Sequence, residues 1–400
     1  MNSILLKTVL FGSAVIFVSS ASAQVDRALA GSRVGALPVV LSQPGLGLRS
    51  PALMQLTPSS LRGAREHASQ MARRDTAQYT IVDAPGAGGG IGQGTLLFGI
   101  NSLSAAVGSY SDDVGVFHGF ERMPDGTYIK LDVGKTSTAL YAVNDKGLVG
   151  GVFVDHKTGR CPGFVSTAKG KLKKFDPPDD SGLWPDDCLF DGPLNNSGTI
   201  VGGYYGGGSL HSFSRLKNGD LTEFDPPGFT YSQAIGINDA GEISGSDADG
   251  TSHGYIRAGD GTFTEFDPPN AVWAFAGPIN DEGEVEGDFQ ESNLVYRGYI
   301  REPDGSFTVY DAPDAGAASG QGTLGATGIN KAGTAAGVYI DADGYPHGYT
   351  RAKDGTFAEF DVPGSIATYP FGPSGINDSG VTSGFFIDQW GGLHGFLRTP

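Results

Sequence analysis

The chain has 400 residues, 64 of them glycine and 23 proline, and a formal net charge of −17. That much glycine and proline excludes a mainly helical protein, because both weaken helix interiors, and the glycines follow no Gly-X-Y rule, so collagen is excluded too. Aromatic content of 10 % is too high for a disordered chain, and the acidic balance argues against a nucleic-acid partner.

Residues 1–23 carry one early positive charge, Lys7, then an apolar run from Thr8 to Val18, then Ala21-Ser22-Ala23. That pattern predicts a cleaved secretory signal peptide and a secreted or periplasmic location. No later run approaches the ~18 apolar residues of a membrane span, so none is expected. Residues 24–75 hold seven Arg against three acids, a net of +4, and show no alternation. They read as a flexible linker or propeptide, with at most a short helix near Leu61–Arg73. The remaining body, residues 76–400, is strongly acidic, which favours solubility and suits cationic partners.

From Tyr79 onward one unit recurs. An Asn marker stands at Asn101, Asn144, Asn195, Asn238, Asn280, Asn330 and Asn377, and a glycine follows each by seven residues. These markers define units 1 to 7, spaced 42 to 51 residues apart. A terminal Asp marker recurs at Asp83, Asp132, Asp176, Asp225, Asp267, Asp311 and Asp361. Each unit reads as four short strands, a to d, separated by Gly/Asp/Asn turns. Strand a ends at the Asn, strand b carries the repeated glycine, strand c starts at His-Gly and strand d ends at the Asp. The chain begins with a d-type strand, Tyr79–Asp83, and ends with a c-type strand, His394–Arg398. The fold class predicted is all-β: a seven-bladed β-propeller closed by the N-terminal strand.

The pattern Gly-Ile-Asn-x-x-Gly, His-Gly-Phe/Tyr, Phe-x-x-Phe-Asp-x-Pro resembles the HAF-type extracellular repeat proteins of bacteria over about 320 residues. The resemblance implies a secreted, propeller-like protein and transfers no catalytic residues. Unit 1 departs at Ser104, where the turn glycine is expected, and unit 2 at Pro162, in the His slot.

His118, His211, His253 and His347 each precede a marker Asp by 14 residues, and Arg297 takes that slot in unit 5. A c–d hairpin places such residues opposite each other, so each is expected to pair with its Asp, with Asp83 beside His394. A metal ring of these histidines is not expected, because strand c lies third from the axis. An Arg four residues on, at 122, 215, 257, 301, 351 and 398, is expected over a strand-d aromatic or between units. Asp247–Gly250 and Asp341–Gly344 resemble calcium loops but lack the later bidentate Glu, so plain turns and no cofactor are expected, with a Ca²⁺ site as the alternative. Gly320–Gly325 spells a dinucleotide fingerprint without a βαβ context, and reads as a Gly-rich loop.

Function is sought where the repeat breaks. The d-to-a loops vary most, and with the b-to-c turns they are expected on one face, here the top face. The loop from Asp176 to Asp191 gathers six Asp around Trp184, a set suited to sugar binding, cation binding or acid/base hydrolysis, or simply a solvated loop. Asp186 and Asp187 are its candidate acid or base. A second patch, Tyr231, Trp273, Phe275, Tyr369 and Trp390, is either a ligand surface or inter-unit packing. Cys161 and Cys188, the only cysteines, are expected to form a disulfide that pins this loop. The first function expected is a monomeric binding protein recognising an extracellular glycan or protein. The alternatives are a secreted hydrolase or lyase acting on a polymer, and a purely structural surface protein.

Overall fold

The computed structural model describes residues 75–400 except 156, 158–159, 168–170, 177–188, 207–208 and 249, together with short N-terminal strand pieces at Leu10–Phe11, Ala14–Ile16 and Leu41–Ser42. Among the described residues of the repeat region every regular element is a strand. In unit 1 the four antiparallel strands are Gly94–Ile100, Ala106–Ser111, Phe117–Arg122 and Tyr128–Leu131. Units 2 to 6 repeat that meander. In unit 7, strands Ser365–Pro370, Thr382–Asp388 and Leu393–Thr399 are completed by Gln78–Val82 from the other end of the chain. Tyr79 pairs with Arg398 and Val82 with Gly395 in that antiparallel ladder.

In units 1 to 6 the repeated glycine of strand b stands at a register shift between strands a and b, whereas in unit 7 the shift lies between Ser365 and Ala367, away from Gly384. The bulge drives strand-a backbone toward strand b. A Cβ at Gly108 would collide with the Leu96 carbonyl oxygen, and one at Gly151 with that of Ala139.

No sheet buries both faces alone, so neighbouring units share cores. Val165 and Phe175 of unit 2 pack with Tyr204 and Phe213 of unit 3. Phe360 of unit 6 packs with Phe386 and Phe396 of unit 7. Val82 and Leu397 of unit 7 pack with Leu97, Tyr110 and Phe120 of unit 1. The repeated arginine bridges the same seams. Arg215 stacks on Phe175, Arg257 on Phe224, Arg301 on Phe266, Arg351 on Tyr310 and Arg398 on Phe360, each on the strand-d aromatic of the preceding unit. Contacts of this kind contribute roughly 0.5–2 kcal/mol each, more when desolvated.

The marker asparagines form the second inter-unit device. Each donates its side-chain amide to the backbone carbonyl of the next marker Asn, at 2.9 to 3.2 Å. The seventh bond, from Asn377 Nδ2 to Asn101 O, returns to the first unit. Each Asn Oδ1 also accepts a backbone N–H from its own a-to-b turn. The turn residue three after the Asn is glycine at positive φ in units 2 to 7, but Ser104 at φ 63° in unit 1.

Two stability outcomes follow from these turns. Asn330→Ala removes one of the two hydrogen bonds accepted by the buried Asn377 carbonyl, which keeps Gly380 N, and removes the turn cap, so unfolding free energy should drop by about 2 kcal/mol in denaturant titration. Ser104→Gly relieves a left-handed serine and should raise stability slightly, by about 0.5 kcal/mol after the added chain entropy. A Ser104→Gly protein less stable than the parent would show that the hydroxyl contact to Asn377 Nδ2 outweighs the backbone relief.

Candidate functional site

The two faces of the assembly differ. The bottom face, carrying the a-to-b turns, is nearly symmetric. The residue after each marker Asn is Ser102, Asp145, Asn196, Asp239, Asp281, Lys331 or Asp378, and these rim a central cavity of about 170 Å³. Most of their side chains are already engaged. Asp145 accepts from Ser102 N, Asn196 from Asp145 N, Asp239 from Asn196 N, Asp281 from Asp239 N and Asp378 from Lys331 N, at 2.7 to 3.1 Å. This polar ring was not singled out from the sequence, although one polar residue follows every marker Asn. Its chemistry is that of a brace between neighbouring turns.

The top face carries the d-to-a loops, the b-to-c turns and the His slots. All the expected slot pairs form. His118 reaches Asp132 at 2.9 Å, His211 reaches Asp225 at 2.8 Å and His253 reaches Asp267 at 2.9 Å. Arg297 reaches Asp311 at 2.7 Å and His347 reaches Asp361 at 2.8 Å. His394 meets Asp83 at 2.8 Å across 311 residues of sequence. The sequence reading missed a second carboxylate six residues before the slot. Asp112, Asp341 and Asp388 contact the other imidazole nitrogen at 3.3 to 3.4 Å, and Glu291 contacts Arg297 at 3.2 Å. The same Asp residues cap the b-to-c turn through their other oxygen. Asp341 is thereby committed to its turn and to His347, which is the plain-turn reading of Asp341–Gly344; position 249 of the other DADG loop lies outside the described residues.

The sequence candidates are scattered. Trp184, Asp186, Asp187 and Cys188 lie outside the described residues; the segment holding them runs between Asp176 and strand a of unit 3, Leu189–Leu194. Cys161 lies just before strand c of unit 2, and no free cysteine occurs among the described residues. Trp273 is only 5 % exposed, stacked on Phe275 at 6.2 Å and edge-on to Tyr296. Tyr369 stacks on Phe385 at 5.0 Å in a separate cluster drawn from units 7, 1 and 2. Tyr231 is half-buried at the entry to strand a of unit 4. Three of the five aromatics therefore lie in two packed clusters rather than on one surface, Tyr231 is half-buried outside both, and Trp390 stands out, at 72 % exposed. The Gly320–Gly325 spelling, expected as a loop, is mostly strand a of unit 6, which begins at Gly322, and no helix follows it among the described residues.

Two carboxylates missed in the sequence lie inside unit 5. Glu286 is buried and accepts from Tyr310 Oη and Gly328 N at 3.2 Å. Asp288, two residues on and on the same face, is buried with no hydrogen bond to offset its desolvation, so its pKa rises well above the usual carboxylate range. Their only sequence signal was acid at alternate positions of a strand b.

With this geometry in place, the chain can be set beside known proteins. It matches no family model and no curated protein. Among solved structures it is similar to a streptogramin B lyase at 15 % identity, TM-score 0.51, over 80 % of this chain and 97 % of that one. It is also similar to a catalytically inactive virginiamycin B lyase from Staphylococcus aureus with quinupristin, at 13 % identity, TM-score 0.52, over 81 % of this chain and 99 % of that one. A puromycin hydrolase mutant is similar at 11 % identity, TM-score 0.51, over 73 % of this chain and 50 % of that one. At these identities the likeness shows the fold alone, which is β-propeller-like.

The His slots give a pH prediction. His347 is 3 % exposed. Burial alone would lower its pKa, but hydrogen bonds to Asp341 and Asp361 outweigh it and raise the pKa from 6.5 to about 9. A raised pKa means the folded state favours the charged form. Its stabilisation is fully present below pH 6.5 and is lost as pH rises to about 9. Unfolding free energy should fall across that window by about 3 kcal/mol, and His347→Gln should flatten the slope. An unchanged slope in the variant would assign the pH dependence to other groups.

Proposed function

We propose that the seven units are the blades of one closed propeller, secreted, and that its top face binds an extracellular glycan or protein. The closed asparagine ladder and the shared cores support the blade count. The observation that carries the binding reading is Trp390, an exposed indole on the b-to-c turn of unit 7. It sits within a strip of exposed apolar residues. Ile91 lies against Gly391, and Gln93 Nε2 reaches Asp113 O at 3.2 Å beside the exposed Val114. Exposed aromatics of this kind suit stacking on a sugar ring or an apolar protein anchor.

The loop with Trp184, Asp186 and Asp187 belongs to the same proposal, pinned by a Cys161–Cys188 disulfide. Mass spectrometry of the exported protein should show no free thiol. Trp390→Ala should cut affinity for a ligand selected on a glycan or protein array at least tenfold, with stability within about 0.5 kcal/mol of the parent because the side chain is exposed. Unchanged binding in Trp390→Ala and in Trp184→Ala would move the site off this face. Turnover of a polysaccharide lost in Asp187→Asn would favour the hydrolase or lyase reading instead.

A further inference from the structure

We propose that His211, Glu223 and Asp225 form a site for a divalent transition-metal ion of the zinc class. One donor atom from each lies within 4.8 Å of the other two. The arrangement follows from the hairpin of unit 3. Strand c, Ser209–Arg215, pairs with strand d, Leu221–Phe224, with Phe213 opposite Glu223. Glu223 and Asp225 are two residues apart and so project from one face, and His211 is on that face two residues before Phe213.

Among the described residues unit 3 alone brings three such donors this close. In units 1, 6 and 7 the two carboxylates bracket the imidazole at opposite nitrogens, so the ring separates them. In unit 3 the residue six before the histidine is Tyr205, and no acid stands there. The second acid is Glu223 of strand d; Glu265 of unit 4 and Glu359 of unit 6 hold the same position, but there an acid, Asp247 or Asp341, also stands six before the histidine, and only in unit 3 do the three donors converge among the described residues.

Donor chemistry selects the ion. Calcium and magnesium take oxygen ligands, whereas imidazole with carboxylates suits zinc and its neighbours. Two carboxylates and a neutral imidazole offset a divalent charge. Zinc bonds of about 2.0–2.2 Å require the donors to draw together from their present spacing, which side-chain rotation supplies. Two hydroxyls are placed to orient the carboxylates: Ser232 Oγ donates to Asp225 Oδ1 at 2.6 Å, and Tyr204 Oη donates to Glu223. His211 and Asp225 are each 19 % exposed while Glu223 is exposed, so solvent reaches the site from one side. Three protein donors leave a fourth position for water or a ligand group.

The test uses the full, untagged chain after chelator dialysis, titrated with Zn²⁺ by calorimetry and with Co²⁺ by visible absorption. One equivalent should bind, with weaker binding at acid pH because the imidazole must be unprotonated. His211→Gln and Glu223→Gln should each weaken binding at least tenfold, and His253→Gln, in the sister pair of unit 4, should leave it unchanged. Glu223 is exposed, so Glu223→Gln keeps the His211–Asp225 pair and the fold and decides the matter if His211→Gln unfolds. Absence of binding, unchanged binding in Glu223→Gln, or equal loss in His253→Gln would overturn the proposal.

Discussion

Each marker asparagine uses one side chain for two tasks, and the rest of the architecture depends on that economy. Its carbonyl oxygen caps its own turn, and its amide reaches the backbone of the next unit. The turn therefore cannot form without fixing where the neighbour's turn lies. Seven such links that return to their start leave no free end, so the units are held in a common register near the axis. Farther out, arginine–aromatic stacks and shared apolar clusters hold the same seams. Local turn chemistry and global assembly are thus satisfied by the same atoms, which is what mutual consistency of contacts means physically.

Much of this was legible in the sequence because it repeats. A pair 14 residues apart across a hairpin is a register statement, and all six such pairs form, including the one between the ends of the chain. The stacking of the repeated arginine was legible in kind, although only the structure assigns it to the preceding unit. The asparagine ladder was not legible. Sequence spacing gives the turn, but the partner is a backbone carbonyl, which carries no residue identity. The second carboxylate at the His slots was hidden for a related reason, since its offset of six spans a turn instead of a strand pair.

The aromatic candidates illustrate a different limit. Trp273 and Trp390 both precede or occupy top-face segments, and nothing in their local sequence separates them. The difference is tertiary: Trp273 begins strand a of unit 5 and meets Phe275 and Tyr296, whereas Trp390 tops a turn and is exposed among the described residues. Repeat symmetry fixes the bottom face, and departures from it gather on the top face. The exposed Trp390 and the missing acid at Tyr205 of unit 3 are such departures, whereas Asp288 departs inside unit 5.

The clasp at Asp75 has a mechanical meaning. Arg398 is stacked on Phe360 of unit 6, and its guanidinium grips Asp75 with two hydrogen bonds of 2.8 and 2.9 Å, while Tyr79 donates to the same carboxylate. Asp75 stands three residues ahead of the strand Gln78–Val82, at the start of the described repeat region. Tension applied from the N-terminal side of Asp75 meets this clasp before it meets the strand ladder. The load passes through Arg398 into two units at once, so the closing strand is shielded from being peeled away one hydrogen bond at a time.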